Sequence, residues 1–321
     1  MELNKRDIRT FSMLGQDRSF FLKLTEKAAE DNNIVILTAD FGREIGLEKF
    51  RQNFPEQYFD VGIAEQNMIG VASGMAKTGL NVFATTYATF VTARCFEQIR
   101  INIGYMNFPV KLIGRMSGLY AGFLGATHYS WDDISIMRSI PNMNIVAPAD
   151  ALEAVKLAES AINFDKPLYI RLNDSVNIPI VYKEDYNFEI GKGVALQEGS
   201  DIAIFATGTM VAPALKAAKL LADENISAAV VNLHTIKPLD TEIIDKFSDG
   251  KKFIVTVEEH GKIGGLGSAV ADYISEKNSS PKLLKIGLPD SFIKGASYDF
   301  LLDKYGLTAE KIFDKIKLQF V

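Results

Sequence analysis

The sequence predicts an α/β protein of two domains, each a mostly parallel sheet flanked by helices. Three observations carry that expectation. Short β-branched runs alternate with longer helical patterns, as strand–helix–strand units require. The strand runs are almost continuously apolar, which fits a sheet covered on both faces. The alternation also lapses once, from Asn173 to about Ser200, where polar and proline-containing sequence suggests a connection. The expected division is residues 1–178, a connection over 179–199, and residues 200–321.

Taken in order, residues 18–31 read as a helix and 34–37 as a strand. A strand-like stretch at 58–61 runs into a helix that begins at Glu65. Then come a strand at 81–85, a helix over 92–105 and a strand at 109–114. A glycine-rich loop at 116–127 precedes a short helix at 132–138, with Asp132 and Asp133 as its expected cap. A strand at 144–147, a helix at 150–162 and a strand at 168–172 complete the first series. In the second, strands at 201–206, 228–233, 252–257 and 283–286 alternate with helices at 211–223, 241–247 and 265–275. Helices at 298–304 and 308–316 end it.

Bulk properties narrow the function. The chain has 321 residues, 47% hydrophobic and 23% charged, with mean hydropathy near zero, ordinary for a globular protein of two domains. A net charge of −5 offers no basic face for nucleic acid. The lone cysteine, Cys95, cannot form an internal disulfide framework and fits a reducing cytoplasm. The first residues lack a signal peptide's apolar stretch, and no apolar run reaches membrane-spanning length. The expectation is a cytoplasmic protein.

Few motifs carry chemistry. His128, His234 and His260 are far apart and show no metal-ligand spacing. Gly264-Gly265-Leu266-Gly267 precedes a helix and could hold an anion; tight strand-to-helix packing is the expected reading, because the spacing is not Gly-x-Gly-x-x-Gly. Glu65 is more informative. It stands at a helix start in the apolar stretch Asp60-Val61-Gly62-Ile63-Ala64-Glu65-Gln66-Asn67-Met68, followed by Gly70, Ala72, Ser73 and Gly74, where another backbone can approach closely. A carboxylate there needs a partner or a raised pKa, and it serves either as a dipole partner or as a reactive group. Tyr87 and Phe90 could offer two rings to a planar heterocycle, or could be core aromatics. His128 ends the glycine-rich loop, where ligand-contacting side chains are common.

Together these elements resemble the thiamine-diphosphate enzymes of the transketolase family. Gly62-Ile63-Ala64-Glu65-Gln66, Ala88-Thr89-Phe90 and Ala126-Thr127-His128 follow that family's order and spacing. Tyr169-Ile170-Arg171-Leu172, His234-Thr235-Ile236-Lys237-Pro238-Leu239-Asp240, Glu258-Glu259-His260 and Tyr305-Gly306-Leu307-Thr308 also match. The resemblance implies a pyrimidine-binding domain followed by a transketolase C-terminal domain. It implies that Glu65 contacts the aminopyrimidine nitrogen N1′ of thiamine diphosphate and favours its imino tautomer. It further implies that Phe90, with Tyr87, stacks on the aminopyrimidine and that Asp40 lies near the thiazolium. His128 and Arg171 would bind substrate, Arg171 as a phosphate clamp, with Arg18 as a second phosphate-binding arginine.

The family's diphosphate and magnesium motif, Gly-Asp-Gly, does not occur in the sequence. This resembles the C-terminal subunit of a split transketolase, whose N-terminal partner supplies the diphosphate and Mg site, in an expected α2β2 assembly. The implied activity is transfer of a two-carbon ketol unit from a ketose donor to an aldose acceptor. Deoxyxylulose-phosphate synthase-like chemistry, a 2-oxo acid dehydrogenase beta subunit and a non-catalytic scaffolding homologue are the alternatives. Met116, Leu124 and Glu44 depart from the family's substrate-binding pattern, which points away from the ordinary sugar phosphates.

Overall fold

Strand β1 (Ile34–Thr38) has a buried side chain at every position. Ile34 and Ile36 enter a cluster with Phe20, Phe21, Phe83 and Leu157 on one face. Val35 and Leu37 enter a second, with Met68, Ala84 and Leu112, on the other. Period-two alternation therefore feeds two cores, and each fully buried side chain contributes about 1.5–3 kcal/mol. The computed structural model describes residues 5–41, 46–176, 178–182 and 184–320, so Glu44 lies outside the described residues.

The first sheet also contains β2 (Tyr58–Asp60), β3 (Asn81–Tyr87), β4 (Lys111–Arg115), β5 (Asn144–Val146) and β6 (Leu168–Arg171). These strands run parallel in the order β5-β6-β4-β3-β1-β2. The second sheet is built from β7 (Val194–Gln197), β8 (Ile202–Ala206) and β9 (Ala228–Asn232), then β11 (Phe253–Gly261) and β12 (Lys282–Leu288), in the order β12-β11-β8-β9-β7. It is buried on both faces in the same way: Ile202 and Ile204 enter one cluster, Ala203 and Phe205 another. Two strands run against the rule. β7 is antiparallel to β9 and lies inside the expected connection. β10 (Thr235–Lys237) belongs by sequence to the second series but pairs antiparallel with β5 of the first sheet.

Helices cover the sheets: α1 (Lys5–Ala28), α2 (Glu48–Asn53), α3 (Glu65–Lys77), α4 (Phe96–Gln98), α5 (Asp133–Arg138) and α6 (Ala151–Ile162) in the first series. The second carries α7 (Val211–Asp223), α8 (Thr241–Ser248), α9 (Leu266–Ser275), α10 (Tyr298–Tyr305) and α11 (Ala309–Phe320). Helix α1 starts earlier than the pattern suggests and breaks at Gly15 (φ 75°, ψ −178°). A Cβ there would stand 2.2 Å from the Ser175 carbonyl oxygen, so both the angle and the space require glycine. The single helix expected over 92–105 is instead two π-helical segments, Phe90–Arg94 and Ile99–Tyr105, on either side of α4.

Two local expectations change. Asp132 makes no side-chain cap bond to α5, and Asp133 is buried in a polar centre. At the start of α9, the Leu266 and Gly267 N–H groups donate to the Glu258 carboxylate, at 2.7 and 2.8 Å. The helix N-terminus does receive a carboxyl group, supplied by the chain's own β11. A Cβ at Gly265 would sit 2.0 Å from Glu258 Oε2, which accounts for the glycine.

Candidate active site

In a parallel sheet the loops leaving the carboxyl ends of the strands converge, and ligand sites form there. Here β1 leads to Asp40, β2 to Glu65, β3 to Tyr87 and Phe90, and β4 to the loop that carries His128. Asp40 has φ 53°, and its N–H donates to Asp60 Oδ1 at 2.9 Å. The same oxygen accepts from Gly62 N–H at 2.9 Å, so one side chain ties the ends of β1 and β2 together. The exposed side chain of Asp40 is left facing outward.

Glu65, the first residue of α3, is only 4% exposed. The helix dipole favours a negative charge there, and desolvation opposes it. A cation resolves the conflict: Arg94 Nη1 donates to Glu65 Oε1 at 2.6 Å. The Arg94 guanidinium also lies over the Phe90 ring, 4.1 Å from its centroid. The Phe90–Arg94 segment winds as a π-helix, and helical positions four apart share a face, which sets residue 94 above residue 90. Gln66 Nε2 holds the Arg94 carbonyl at 3.2 Å. Burial and then the Glu65 carboxylate push the neighbouring Cys95 thiol up to about 12, so it stays protonated.

The rings form a wall beside this carboxylate. Tyr87 and Phe90 meet edge to face at 5.5 Å, and His128 meets them edge-on at 5.7 and 5.4 Å. His128 Nδ1 is 2.8 Å from Thr127 Oγ1. Behind Tyr87 lies Phe41, at 4.3 Å, with the buried Arg115 guanidinium 4.6 Å from the Phe41 ring. Tyr87, Phe90 and His128 are each half-buried, whereas core aromatics such as Phe83 are fully buried. Glu65, Tyr87, Phe90 and His128 are therefore joined in one cluster, through Arg94 and the ring contacts.

Arg171 does not offer the phosphate clamp expected of it. Its Nε donates to Asp133 Oδ2 at 2.8 Å, and its Nη2 donates to the Glu259 carbonyl at 2.9 Å. Tyr169 adds its hydroxyl to Asp133 Oδ2 at 2.7 Å. Burial alone would raise the Asp133 carboxyl, but Arg171, His260 and the Tyr169 hydroxyl together outweigh it and hold the group below the usual range. A guanidinium that is 5% exposed, with its Nε and Nη2 bonded to buried acceptors, is turned into the interior and has little access to a substrate. It instead ties β6 to α5 and β11. Arg18 fares differently: it is exposed on α1, and its charge acts on Asp17, Asp174 and Tyr120, behind the Arg115–Phe41 contact.

The departures from the family pattern are also visible. Met116 adopts φ 50° with its N–H donating to Asp174 Oδ1 at 3.1 Å, and Leu124 is exposed. Large apolar side chains stand exposed around the site: Ile63, two residues before Glu65, and Phe123, five before His128. On α3, a Cβ at Gly70 or Gly74 would meet nothing within 4 Å, so this stripe of small residues faces outward. Sequence reading missed Arg94 and Phe41. For Arg94 the available signal was an arginine four residues after an aromatic in a helical stretch.

Comparisons with known proteins cover nearly all of this chain. The family model described as "Transketolase, pyrimidine binding domain" matches residues 19–176, and "Transketolase, C-terminal domain" matches residues 191–312. The chain is 40% identical over 304 residues to a "Putative transketolase C-terminal section" of Methanocaldococcus jannaschii, covering 94% of this chain and 95% of that one. It is 37% identical over 311 residues to one of the subunits of an apulose-4-phosphate transketolase from Phocaeicola vulgatus, covering 97% and 98%. Among solved structures, "Split gene transketolase, inactive beta4 tetramer" superposes with a TM-score of 0.87 at 40% identity, covering 95% of this chain and 97% of that one.

Proposed function

Because this chain belongs to the transketolase family, matching both its pyrimidine-binding and its C-terminal domain, we propose that it is the C-terminal subunit of a split transketolase. It would transfer a two-carbon ketol unit between sugar-like compounds once joined to an N-terminal subunit. The observation that carries this reading is Glu65, a buried carboxylate beside the half-buried face of Phe90. That donor set fits an aminopyrimidine: a planar N–H donor from Arg94 already bonds the carboxylate and covers the ring.

Thiamine diphosphate, when bound, supplies the electron sink for carbon–carbon cleavage. Glu65 holds a proton at the aminopyrimidine nitrogen N1′, a positioned transfer worth about 10²–10⁴-fold in rate. Phe90 provides the stacking face, braced by Tyr87 and His128. Asp40, with its exposed carboxylate, would be the residue near the thiazolium. His128, at the mouth of the glycine-rich loop, holds or moves a proton at a substrate hydroxyl. Arg18 is assigned to the anionic end of the substrate. The diphosphate and magnesium ligands are assigned to the partner, since the sequence has no Gly-Asp-Gly.

The partner surface is assigned to the exposed Ile63 and Phe123 around the site, and self-association into α2β2 to the open Gly70/Gly74 stripe of α3. The test is the Glu65→Gln variant, co-produced with an N-terminal transketolase section and assayed for ketol transfer. A loss of about 10²–10⁴-fold with unchanged folding is expected. A near-normal rate, or a wild-type pair that binds no cofactor, would favour a scaffolding role instead.

A further inference from the structure

The Glu65–Arg94–Phe90 arrangement has one property the catalytic reading does not use. The guanidinium is planar, carries N–H donors toward the carboxylate and stacks on the aromatic face. An aminopyrimidine would make the same two contacts with the same two residues. At 2.6 Å from Glu65 Oε1 and 4.1 Å from the Phe90 centroid, Arg94 fills the place between them. A ring that bonds the same Oε1 and lies on the same face of Phe90 cannot be there at the same time.

We propose that Arg94 is a place-holder for the cofactor: it occupies the aminopyrimidine position in the unloaded chain and must swing out before the cofactor can seat. This inference rests on the proposed function. The path out is open, because the Arg94 side chain is 44% exposed while Glu65 is 5% exposed. The guanidinium exchanges its carboxylate for water, and the carboxylate exchanges the guanidinium N–H for a proton shared with the ring nitrogen N1′, one proton being taken up from solvent as the ring seats. The backbone need not move, since the Arg94 carbonyl is held by Gln66.

The arrangement gives the isolated subunit two advantages. A buried carboxylate is paired at all times, which removes the cost of an uncompensated charge before the cofactor arrives. The Phe90 face is also covered rather than left as a sticky patch. The consequence is a lowered apparent affinity, because only the fraction of molecules with Arg94 displaced can bind.

The test uses the full isolated chain and thiamine without its diphosphate, which leaves out contacts assigned to the partner. Binding is measured by calorimetry for wild type, Arg94→Ala, Arg94→Lys and Glu65→Gln, with circular dichroism as the folding check. Arg94→Ala is expected to bind thiamine about tenfold more tightly than wild type. Arg94→Lys, which keeps the charge and loses the planar stack, is expected to fall between. A merely structural Arg94 would give the opposite sign. Weaker or equal binding in Arg94→Ala overturns the place-holder, as does absence of binding in every variant. The catalytic reading fails separately, if Glu65→Gln leaves ketol transfer by the reconstituted pair unchanged.

Discussion

Glu65 and Asp133 are both buried carboxylates paired with an arginine, yet they are held in different ways. Asp133 receives Arg171 and Tyr169 on one oxygen, and His260 stands 3.9 Å from the other. Its arginine is itself buried and bonded to the Glu259 carbonyl. Glu65 is bonded by an arginine that is nearly half-exposed. The first arrangement joins the two domains through a counter-ion that is itself buried, so it acts as structure. The second has a partner that can leave, so it acts as a site. Burial alone does not separate the two; what separates them is whether the counter-ion can be replaced.

The largest expected effect tests that contrast directly. Arg171→Leu strands Asp133 without its cation and is expected to cost about 3–5 kcal/mol of stability, read from urea denaturation. Glu65→Gln is expected to change stability by less than about 1 kcal/mol. Equal losses in the two variants would erase the distinction.

Next in size is an effect of pH on the interior centre. Burial lowers the His260 pKa from the ordinary 6.5 to about 4. Between those values the unfolded chain binds a proton that the folded chain does not. Stability from this group is therefore lost as pH falls from 6.5 through 4. Glu258, 3.8 Å from His260, has the opposite sign: burial pushes it up to about 7, so its contribution is present below 4.5 and lost as pH rises through 7. The two partly cancel in wild type. His260→Gln should lose less stability than wild type between pH 6.5 and 4, by on the order of 3 kcal/mol, measured as the difference between paired denaturation curves. A pH profile in His260→Gln that parallels wild type would show that the imidazole is already solvated.

The smallest effect sharpens the comparison from the other side. Arg100 and Glu97 form an exposed ion pair at 2.8 Å, close in sequence to Arg94. Arg100→Ala should change the stability read from urea denaturation by no more than about 0.5 kcal/mol. An exposed pair of this kind neither supports the fold nor marks a site. Glu65–Arg94 differs in having one buried end.

Much of this was legible in the sequence, for identifiable reasons. The parallel sheets were, because β-branched runs covered on both faces leave continuous apolar segments, as at Ile34–Thr38. Glu65, Tyr87, Phe90 and His128 could be picked out because each stands at a strand end, at a helix start or in a loop after a strand. The interior pairing of Arg171 could not, since its partners Asp133 and Glu259 lie 38 and 88 residues away and only the fold brings them together. For Arg94, helical spacing offered only its place above Phe90; its bond to Glu65, 29 residues away, is made only by the fold.

Strand β10 gives the molecule a further property. Its three residues come from the second half of the chain, yet they complete the hydrogen bonding of β5 in the first. The Ala147 N–H is likewise satisfied by the His234 carbonyl, at 2.8 Å. Dividing the chain between its two family domains would bare a row of unpaired amides and carbonyls along β5. Such a row recruits other strands, and a severed first half would be prone to clump with its own copies. Anyone dissecting this protein should expect the halves to behave as one inheritance, translated, folded and moved together.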